Sequence, residues 1–286
     1  MTKSIAGGSA AYPEIPQEKP DIRLLAIDLD DTLLRSDYTI SPRTKRAIQR
    51  ARQQGVVVTL ATGRMYVSAL PYAQELDIDV PLITYQGALV IMTDGRIISH
   101  HPMDYQLSME LLDFLLPFGY HVNVYIGDQL FIEESSPEAA RYGARTRTYL
   151  YQVPSLREMM KQRAAGATKF SLIASAEEVK EVIDATKARF GDRVLTVPSK
   201  PTFLEFGRPD MGKGVALAEM AAKLDIDSSQ VMAIGDSPND LDMLEYAGWG
   251  IAMANGECCA KERARWITAA NDEEGVAIAI ESLVLE

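Results

Sequence analysis

The sequence predicts an α/β protein: a parallel sheet with helices on both faces, carrying a second, inserted α+β domain. Short apolar runs alternate with amphipathic helical segments at the beginning of the chain and again at its end. This alternation is typical of parallel sheets, because each strand must cross over through a helix. Between the two blocks, Asp94-Gly95 and Gly127-Asp128 each separate two short apolar runs. Such turns indicate antiparallel hairpins and therefore a domain of different character.

The first block begins with the apolar run Ile22–Leu29, which ends in acidic residues and is predicted to be a buried strand. Ser41 followed by Pro42 is a helix start signal, since serine caps the free amides and proline suits the first helical position. Gly55 is the matching stop signal, so a helix is predicted through Gln54. The block continues with a strand at 56–61, a helix at 65–75 and a strand at 81–85.

The middle and last blocks complete the prediction. In the middle we predict strands at 88–92, 96–99, 122–126, 130–133 and 169–174, with helices at 106–118 and 176–189. In the last block we predict a helix at 212–224, a strand at 231–234, a helix at 239–246, a strand at 250–253 and a helix from Gly275. The predicted division is a disordered leader at 1–20, a core at 21–85 and 199–286, and an inserted domain at 86–198.

Composition excludes several functional classes. The formal net charge is −11, with no basic stripe, so a nucleic-acid partner is not expected. No uncharged apolar stretch reaches 18 residues, and the first 20 residues lack the apolar run of a signal peptide, so no membrane partner is expected. Only two cysteines occur, Cys258 and Cys259, which form no disulfide framework. These features favour a cytoplasmic protein.

Aspartates follow two of the predicted core strands. Asp28 lies at the end of the first predicted strand and Asp30 just beyond it, and Asp236 comes after the strand at 231–234. Spacing alone is uninformative, because the same Asp-x-Asp pattern recurs at Asp77/Asp79, Asp225/Asp227 and Asp240/Asp242. Position is informative, because open α/β sheets bind ligands at the carboxyl ends of their strands. Clustered carboxylates repel one another unless a cation neutralises them, which predicts a Mg²⁺ site.

Three further segments carry candidate phosphate ligands. Thr62 can donate a hydroxyl, and Gly63 lets backbone amides approach an anion at a helix start, although the segment is also an ordinary strand-to-helix turn. Lys213 lies between two glycines at a helix start and can direct its charge at a phosphate. The preceding residues imitate a P-loop, but Gly214 stands where a P-loop needs Ser or Thr for Mg²⁺. Asn239 is either a substrate ligand or a turn residue.

Together these segments resemble the motifs of the haloacid dehalogenase superfamily, specifically the Cof-type phosphatases, whose α/β cap of the C2 type is inserted between the second and third motifs. The matching segments are Asp28–Leu33, Thr62–Arg64, Lys213-Gly214 and Gly235–Asp240. The resemblance covers the chain from Arg23 onward. Two departures stand out: Asp31 replaces a glycine of many relatives, and Gln86 replaces an asparagine.

The resemblance implies a Rossmann-like core and a Mg²⁺-dependent phosphatase that hydrolyses phosphate monoesters of small metabolites such as sugar phosphates. It implies that Asp28 is the nucleophile that forms an aspartyl phosphate, and that Asp30 is the general acid and base. The implied Mg²⁺ ligands are the Asp28 carboxylate, the Asp30 backbone carbonyl and Asp236. Lys213 is implied as the third catalytic residue. The implied phosphate or substrate ligands are Leu29, Thr62, Gly63, Lys213 and Asn239, with Arg64 and Asp240 in support.

Other functional classes share parts of this pattern. A sugar phosphomutase has a similar core and cap, and transfer of the phosphoryl group to a second hydroxyl would distinguish it. A receiver-type signalling domain also phosphorylates an aspartate near Thr and Lys, but it is far shorter and has no inserted cap. A non-catalytic binding protein is expected to lack Asp28 or Asp30, and this chain has both. The cap is expected to determine which substrate fits.

Overall fold

The computed structural model of the protein describes residues 19–285. The leader predicted at 1–20 lies outside the described residues except for its last two. The centre of the fold is a parallel five-stranded sheet in the order β14-β13-β12-β1-β2. Its strands are β1 Leu24–Ile27, β2 Val57–Leu60, β12 Val231–Gly235, β13 Trp249–Ala252 and β14 Trp266–Ile267.

Ten helices surround the sheets of the described chain. They are α1 Pro42–Gln53, α2 Tyr66–Glu75, α3 Tyr105–Leu115, α4 Pro137–Thr146, α5 Leu156–Arg163, α6 Ala176–Phe190, α7 Lys213–Lys223, α8 Leu241–Tyr246, α9 Cys258–Arg263 and α10 Gly275–Leu283. Among residues 19–285, no helix has both the length and the apolar character needed to cross a membrane.

The central strand β1 is buried on both faces, as its uninterrupted apolar run predicts. Leu25 and Ile27 pack in the core cluster that includes α1, α2 and α10. Leu24 and Ala26 point the other way and pack in the cluster that includes α7, α8 and α9. This alternation places helices on both faces of the sheet and confirms the predicted fold class.

A three-stranded antiparallel sheet extends this core beside β2. Its strands are β3 Leu82–Thr84, β4 Leu89–Ile91 and β5 Ile97–His100. A parallel bridge between Ala61 and Ile83 joins β3 to the end of β2, and Val90 packs in the same cluster as α7. The hairpin at 89–100, which the sequence analysis assigned to the inserted domain, therefore packs with the core.

The inserted domain, called the cap below, is built on a six-stranded sheet in the order β10-β11-β9-β6-β7-β8. Its strands are β6 His121–Ile126, β7 Gln129–Ile132, β8 Leu150–Gln152, β9 Lys169–Ile173, β10 Leu195–Lys200 and β11 Phe203–Gly207. All neighbouring strands are antiparallel except β7 and β8. One face packs against α3, α5 and α6 in a second hydrophobic core.

The strand pairings and backbone hydrogen bonds bear on where the cap begins and ends. His101 still donates its backbone amide to Ala88 in the core hairpin, whereas Met103 donates to Ala167 in the cap. At the other end, β11 pairs with β9, although residues 199–207 were predicted to belong to the core. We therefore propose that the chain enters the cap between His101 and Met103 and leaves it after Gly207.

Candidate active site

A buried ion cluster lies at the carboxyl end of β1. The backbone amide of Asp28 donates to Ile234 at 3.0 Å, which holds Asp28 at the sheet's edge. Lys213, the first residue of α7, is 0% exposed and donates from Nζ to Asp28 Oδ1 and to Asp240 Oδ1, each at 2.6 Å. The predicted nucleophile, the predicted lysine and Asp240 therefore form one ionic group, with Asp240 positioning Lys213.

The turn after β12 supplies the other carboxylates. Asp240 Oδ2 accepts from the backbone amides of Asp236 and Ser237 at 3.0 and 3.1 Å. Gly235 permits this close return of the chain, since an added Cβ would lie 2.6 Å from Asp240. Asp236 Oδ1 accepts a 2.9 Å hydrogen bond from Thr32, so the segments after β1 and β12 are linked directly.

The cluster holds more negative than positive charge. Three carboxylates, Asp28, Asp236 and Asp240, have oxygens within 4.8 Å of one another, and Lys213 supplies one ammonium. Burial raises the pKa of Asp28 well above its usual value; Lys213 opposes this rise, and the charges of Asp240 and Asp236 add to it. Burial, followed by the charge of Asp240, also raises the pKa of Asp236 to about 7.

This arrangement fits a divalent cation. Both oxygens of Asp240 already accept hydrogen bonds, one from Lys213 and the other from backbone amides. Asp240 is therefore a poor metal ligand, although it lies close to Asp28 and Asp236. Asp28 and Asp236 each have one oxygen that accepts no hydrogen bond from any other described residue. Hard carboxylate oxygens with excess negative charge are the donor set that Mg²⁺ prefers.

The predicted acid and base, Asp30, is held by an arginine. Arg64 donates from Nε and Nη2 to the two Asp30 oxygens at 2.7 and 2.6 Å. The guanidinium is 5% exposed and lies 5.4 Å from the Tyr72 ring centroid. Such forked pairs are strong and directional. Each Asp30 oxygen keeps a second lone pair and the side chain is 38% exposed, so Asp30 stays accessible to a ligand while Arg64 orients it.

The segment at 62–67 differs in one respect from the prediction. Thr62 lies beside the cavity, and its Oγ1 accepts from the Arg64 amide at 3.1 Å, which leaves its proton for a ligand. The first amides of α2 were expected to face an anionic ligand. Instead, Asp128 of the cap accepts from Tyr66 and Val67, each at 3.0 Å. A protein carboxylate, not a phosphate, therefore caps α2 in this conformation.

The two departures from the family pattern, Asp31 and Gln86, lie at backbone positions that suit the glycine and asparagine of the relatives. Asp31 and Gln86 have φ values of +59° and +56°, in the left-handed region that glycine and asparagine adopt most readily. Gln86 has a longer side chain than asparagine. Its Oε1 accepts from Asn239 Nδ2 at 3.2 Å, and its amide lies against Gly63, where an added Cβ would come within 2.4 Å. Gln86 thus links the second and fourth motifs.

A cavity of about 370 Å³ lies between the core and the cap. Of the predicted site residues, those that line it are Asp28, Asp30, Thr62, Gly63, Arg64, Asp236 and Asn239. Lys213, Asp240 and Leu29 are fully buried and are not among its lining residues. Lys213 therefore acts on the cavity through Asp28 and does not form its surface.

The cap wall of the cavity includes residues that the sequence analysis missed, among them Thr146, Val197, Pro198, Phe203 and Glu205. Glu205 Oε1 forms an ion pair with Lys169 Nζ at 3.1 Å, and the same Nζ donates to the Gly63 carbonyl at 2.9 Å. No local motif marks these positions. The alternation of residues along β11 was the available signal, because it places Phe203 and Glu205 on the face opposite Leu204 and Phe206.

A Rossmann-like core with an inserted cap, and with aspartates at two strand ends beside a buried lysine, defines the haloacid dehalogenase class of hydrolases. Comparison supports this: residues 25–280 match the haloacid dehalogenase-like hydrolase family. The chain belongs to that family. Its relatives include phosphatases, its cap is of the Cof type, and it is itself a phosphatase.

Two relatives from Bacillus subtilis match almost their full length. The chain is 29% identical over 283 residues to the 5-amino-6-(5-phospho-D-ribitylamino)uracil phosphatase YwtE, covering 92% of this chain and 98% of the relative. It is 32% identical over 272 residues to the putative phosphatase YxeH, with the same coverage of both chains. Among solved structures, TM0651 from Thermotoga maritima is similar at a TM-score of 0.81 and 30% identity, covering 91% of this chain and 97% of that one.

Proposed function

We propose that the protein hydrolyses phosphate monoesters of small metabolites with Mg²⁺ as cofactor, through an aspartyl phosphate on Asp28. The observation that carries the proposal is the position of Asp28. It lies at the floor of the cavity with one oxygen held by Lys213 and with Asp236 beside it. A carboxylate fixed in this way, beside space for a ligand, suits nucleophilic attack on phosphorus.

In the first step, an Asp28 oxygen bonds to phosphorus while the bond from phosphorus to the ester oxygen breaks. Asp30, in its protonated form, gives its proton to the departing alkoxide. In the second step, water attacks phosphorus, Asp30 takes a proton from that water, and the bond between phosphorus and Asp28 breaks. The products are inorganic phosphate, the alcohol and the restored carboxylate.

The remaining residues bind and orient the substrate. Lys213 is held in its charged state: burial alone would lower the pKa of its ammonium, but Asp240 and Asp28 raise it overall. Thr62 and the amides of Leu29 and Gly63 are proposed to donate to the phosphate oxygens, and Asn239 to contact the substrate. Asp28, Asp236 and the Asp30 carbonyl would hold Mg²⁺, which supplies charge neutralisation between the anionic nucleophile and the anionic ester.

The relative YwtE gives one concrete substrate to test, 5-amino-6-(5-phospho-D-ribitylamino)uracil, together with simpler polyol and sugar phosphates. The mechanism is tested with Asp28→Asn. We expect its turnover of every Mg²⁺-supported substrate to fall more than about a hundredfold, a barrier increase above roughly 2.7 kcal/mol. Acid quenching during turnover of a ³²P-labelled ester should trap radioactivity on the wild type only.

Asp77→Asn is the matched control, because Asp77 is an exposed member of another Asp-x-Asp pair. It should keep wild-type activity. Turnover by Asp28→Asn at near the wild-type rate, or full wild-type activity after removal of divalent cations, would refute the mechanism. Transfer of the label to a second hydroxyl of the substrate instead of to water would identify a phosphomutase.

A further inference from the structure

The two faces of the cap sheet differ in chemistry. Val122, Val124, Phe170, Leu172, Leu204 and Phe206 are buried in the cap's hydrophobic core. Alternate residues point away from that core, and they include the polar side chains of Asn123, Lys169, Ser171 and Glu205. Asn123 donates to Ser171 at 2.8 Å, and Tyr125 joins the same network. Buried polar groups lower the stability of the fold unless they are hydrogen-bonded, and these groups are paired with one another.

Glu205 is the charged residue of this face that lines the active-site cavity. Its side chain is 16% exposed, and Lys169, 5% exposed, fixes its Oε1. Lys169 is itself anchored by the Gly63 carbonyl and lies 4.8 Å from the Tyr125 ring centroid. Among the side chains that the structure describes, none donates a hydrogen bond to the second oxygen, Oε2. Glu205 therefore offers a rigid acceptor to whatever occupies the cavity opposite Asp28.

The surroundings of Glu205 limit what it can accept. Its neighbour across the strands is Val197, and Phe203 lies two residues before it on β11. Both line the cavity and provide an apolar surface beside the carboxylate. Arg64 also lines the cavity, but its Nε and Nη2 groups already donate to the two oxygens of Asp30. A second phosphate or a carboxylate placed at Glu205 would face a like charge, whereas a hydroxyl or amino group would donate to it.

We propose that Glu205 is a specificity-determining residue that selects leaving groups with a neutral hydrogen-bond donor at the cap, and rejects leaving groups with an anion there. The substrate class is thus a polyol or amino-polyol monophosphate. The proposal rests on the proposed phosphatase function, because the ester phosphate must occupy the Asp28 end of the cavity. A purely structural role for the Lys169–Glu205 pair, as a contact that only holds the cap, is the competing explanation.

The test compares two ligands of equal length as competitive inhibitors of p-nitrophenyl phosphate hydrolysis with Mg²⁺. D-Ribitol 5-phosphate ends in a hydroxyl, and 5-phospho-D-ribonate ends in a carboxylate. We expect the wild type to bind ribitol 5-phosphate at least about tenfold more tightly. In Glu205→Gln this ratio should fall to about twofold or less, because the amide accepts more weakly and no longer repels the carboxylate. Hydrolysis of p-nitrophenyl phosphate should stay within about threefold of wild type, since this small ester requires only the core.

Glu181→Gln is the control, because Glu181 is exposed on cap helix α6 and its substitution makes the same change in charge. Glu205→Asp keeps the charge and should keep the rejection of phosphoribonate. Equal wild-type affinity for the two ligands, no competition by ribitol 5-phosphate, or an unchanged ratio in Glu205→Gln would overturn the proposal. So would a Glu205→Gln variant that loses aryl phosphatase activity in parallel. A wild type without Mg²⁺-dependent aryl phosphatase activity would instead refute the proposed function.

Discussion

Lys213→Met removes the only cation that the described structure shows bonded to Asp28 and Asp240. Methionine resembles lysine in length and helix propensity, so packing and α7 should be kept. Lys213 is 0% exposed and each of its ion pairs is 2.6 Å long, so the substitution leaves two buried carboxylates uncompensated. Removing one partner of a buried pair costs about 3–5 kcal/mol of unfolding free energy. We expect a loss in that range at about pH 8 without divalent cations, a large part of a typical domain's stability.

Urea unfolding followed by tryptophan fluorescence measures this loss. Both tryptophans, Trp249 and Trp266, lie in the core sheet, so the signal reports the domain that holds the cluster. The loss should shrink at about pH 5, because the folded variant takes up protons on its carboxylates and so gains stability as the pH falls. Adding Asp240→Asn should recover at least about 1 kcal/mol, since one unpaired charge is removed. A loss below about 1 kcal/mol at both pH values would refute the buried ion cluster.

Two more predictions follow. In the metal-free protein Asp236 has a pKa of about 7, above its unfolded value, so its contribution to stability is present at acid pH and is lost as the pH rises through about 7. Mg²⁺ must displace that proton, so calorimetry at about pH 6 and pH 8 should give weaker binding at the lower pH; equal affinities would contradict the assignment of Asp236 as a ligand. Asp128→Ala should lower the unfolding free energy by about 1–2 kcal/mol, because it uncaps α2, and Asp94→Ala, at the exposed turn of the other hairpin, should lower it less. Equal losses would argue against this contact between cap and core.

The ion cluster could be predicted from the sequence because each contributing segment carries its own local signal. Asp28 and Asp236 directly follow apolar runs that become β1 and β12, and parallel strands must end at the same edge of their sheet. The start of α7 at Lys213 follows from the flanking glycines. For Asp28 and Asp236, no knowledge of long-range packing was needed beyond the assumption of one parallel sheet, whereas Asp240 was assigned only from the resemblance, because its Asp-x-Asp spacing recurs elsewhere in the chain.

The cap side of the site depends on strand pairing that no local signal reveals. Lys169 and Glu205 are 36 residues apart in the chain and meet because β9 and β11 are neighbours. The sequence analysis placed the end of the cap at residue 198, before β11, so it gave no reason to consider Glu205 as a residue of the cap sheet. Short elements were missed for a related reason: the two residues of β14, for example, form a strand only because β13 offers them a sheet edge.

The cap contacts the core at the segment that controls the predicted acid and base. Lys169 binds the carbonyl of Gly63, and Asp128 binds the amides of Tyr66 and Val67. Arg64, which holds both oxygens of Asp30, lies between these two contacts. A movement of the cap must therefore either break these hydrogen bonds or carry the segment that includes Arg64 with it. Lys169 also fixes Glu205, so the side chain proposed to contact the leaving group is hydrogen-bonded, through Lys169, to the segment that carries Arg64.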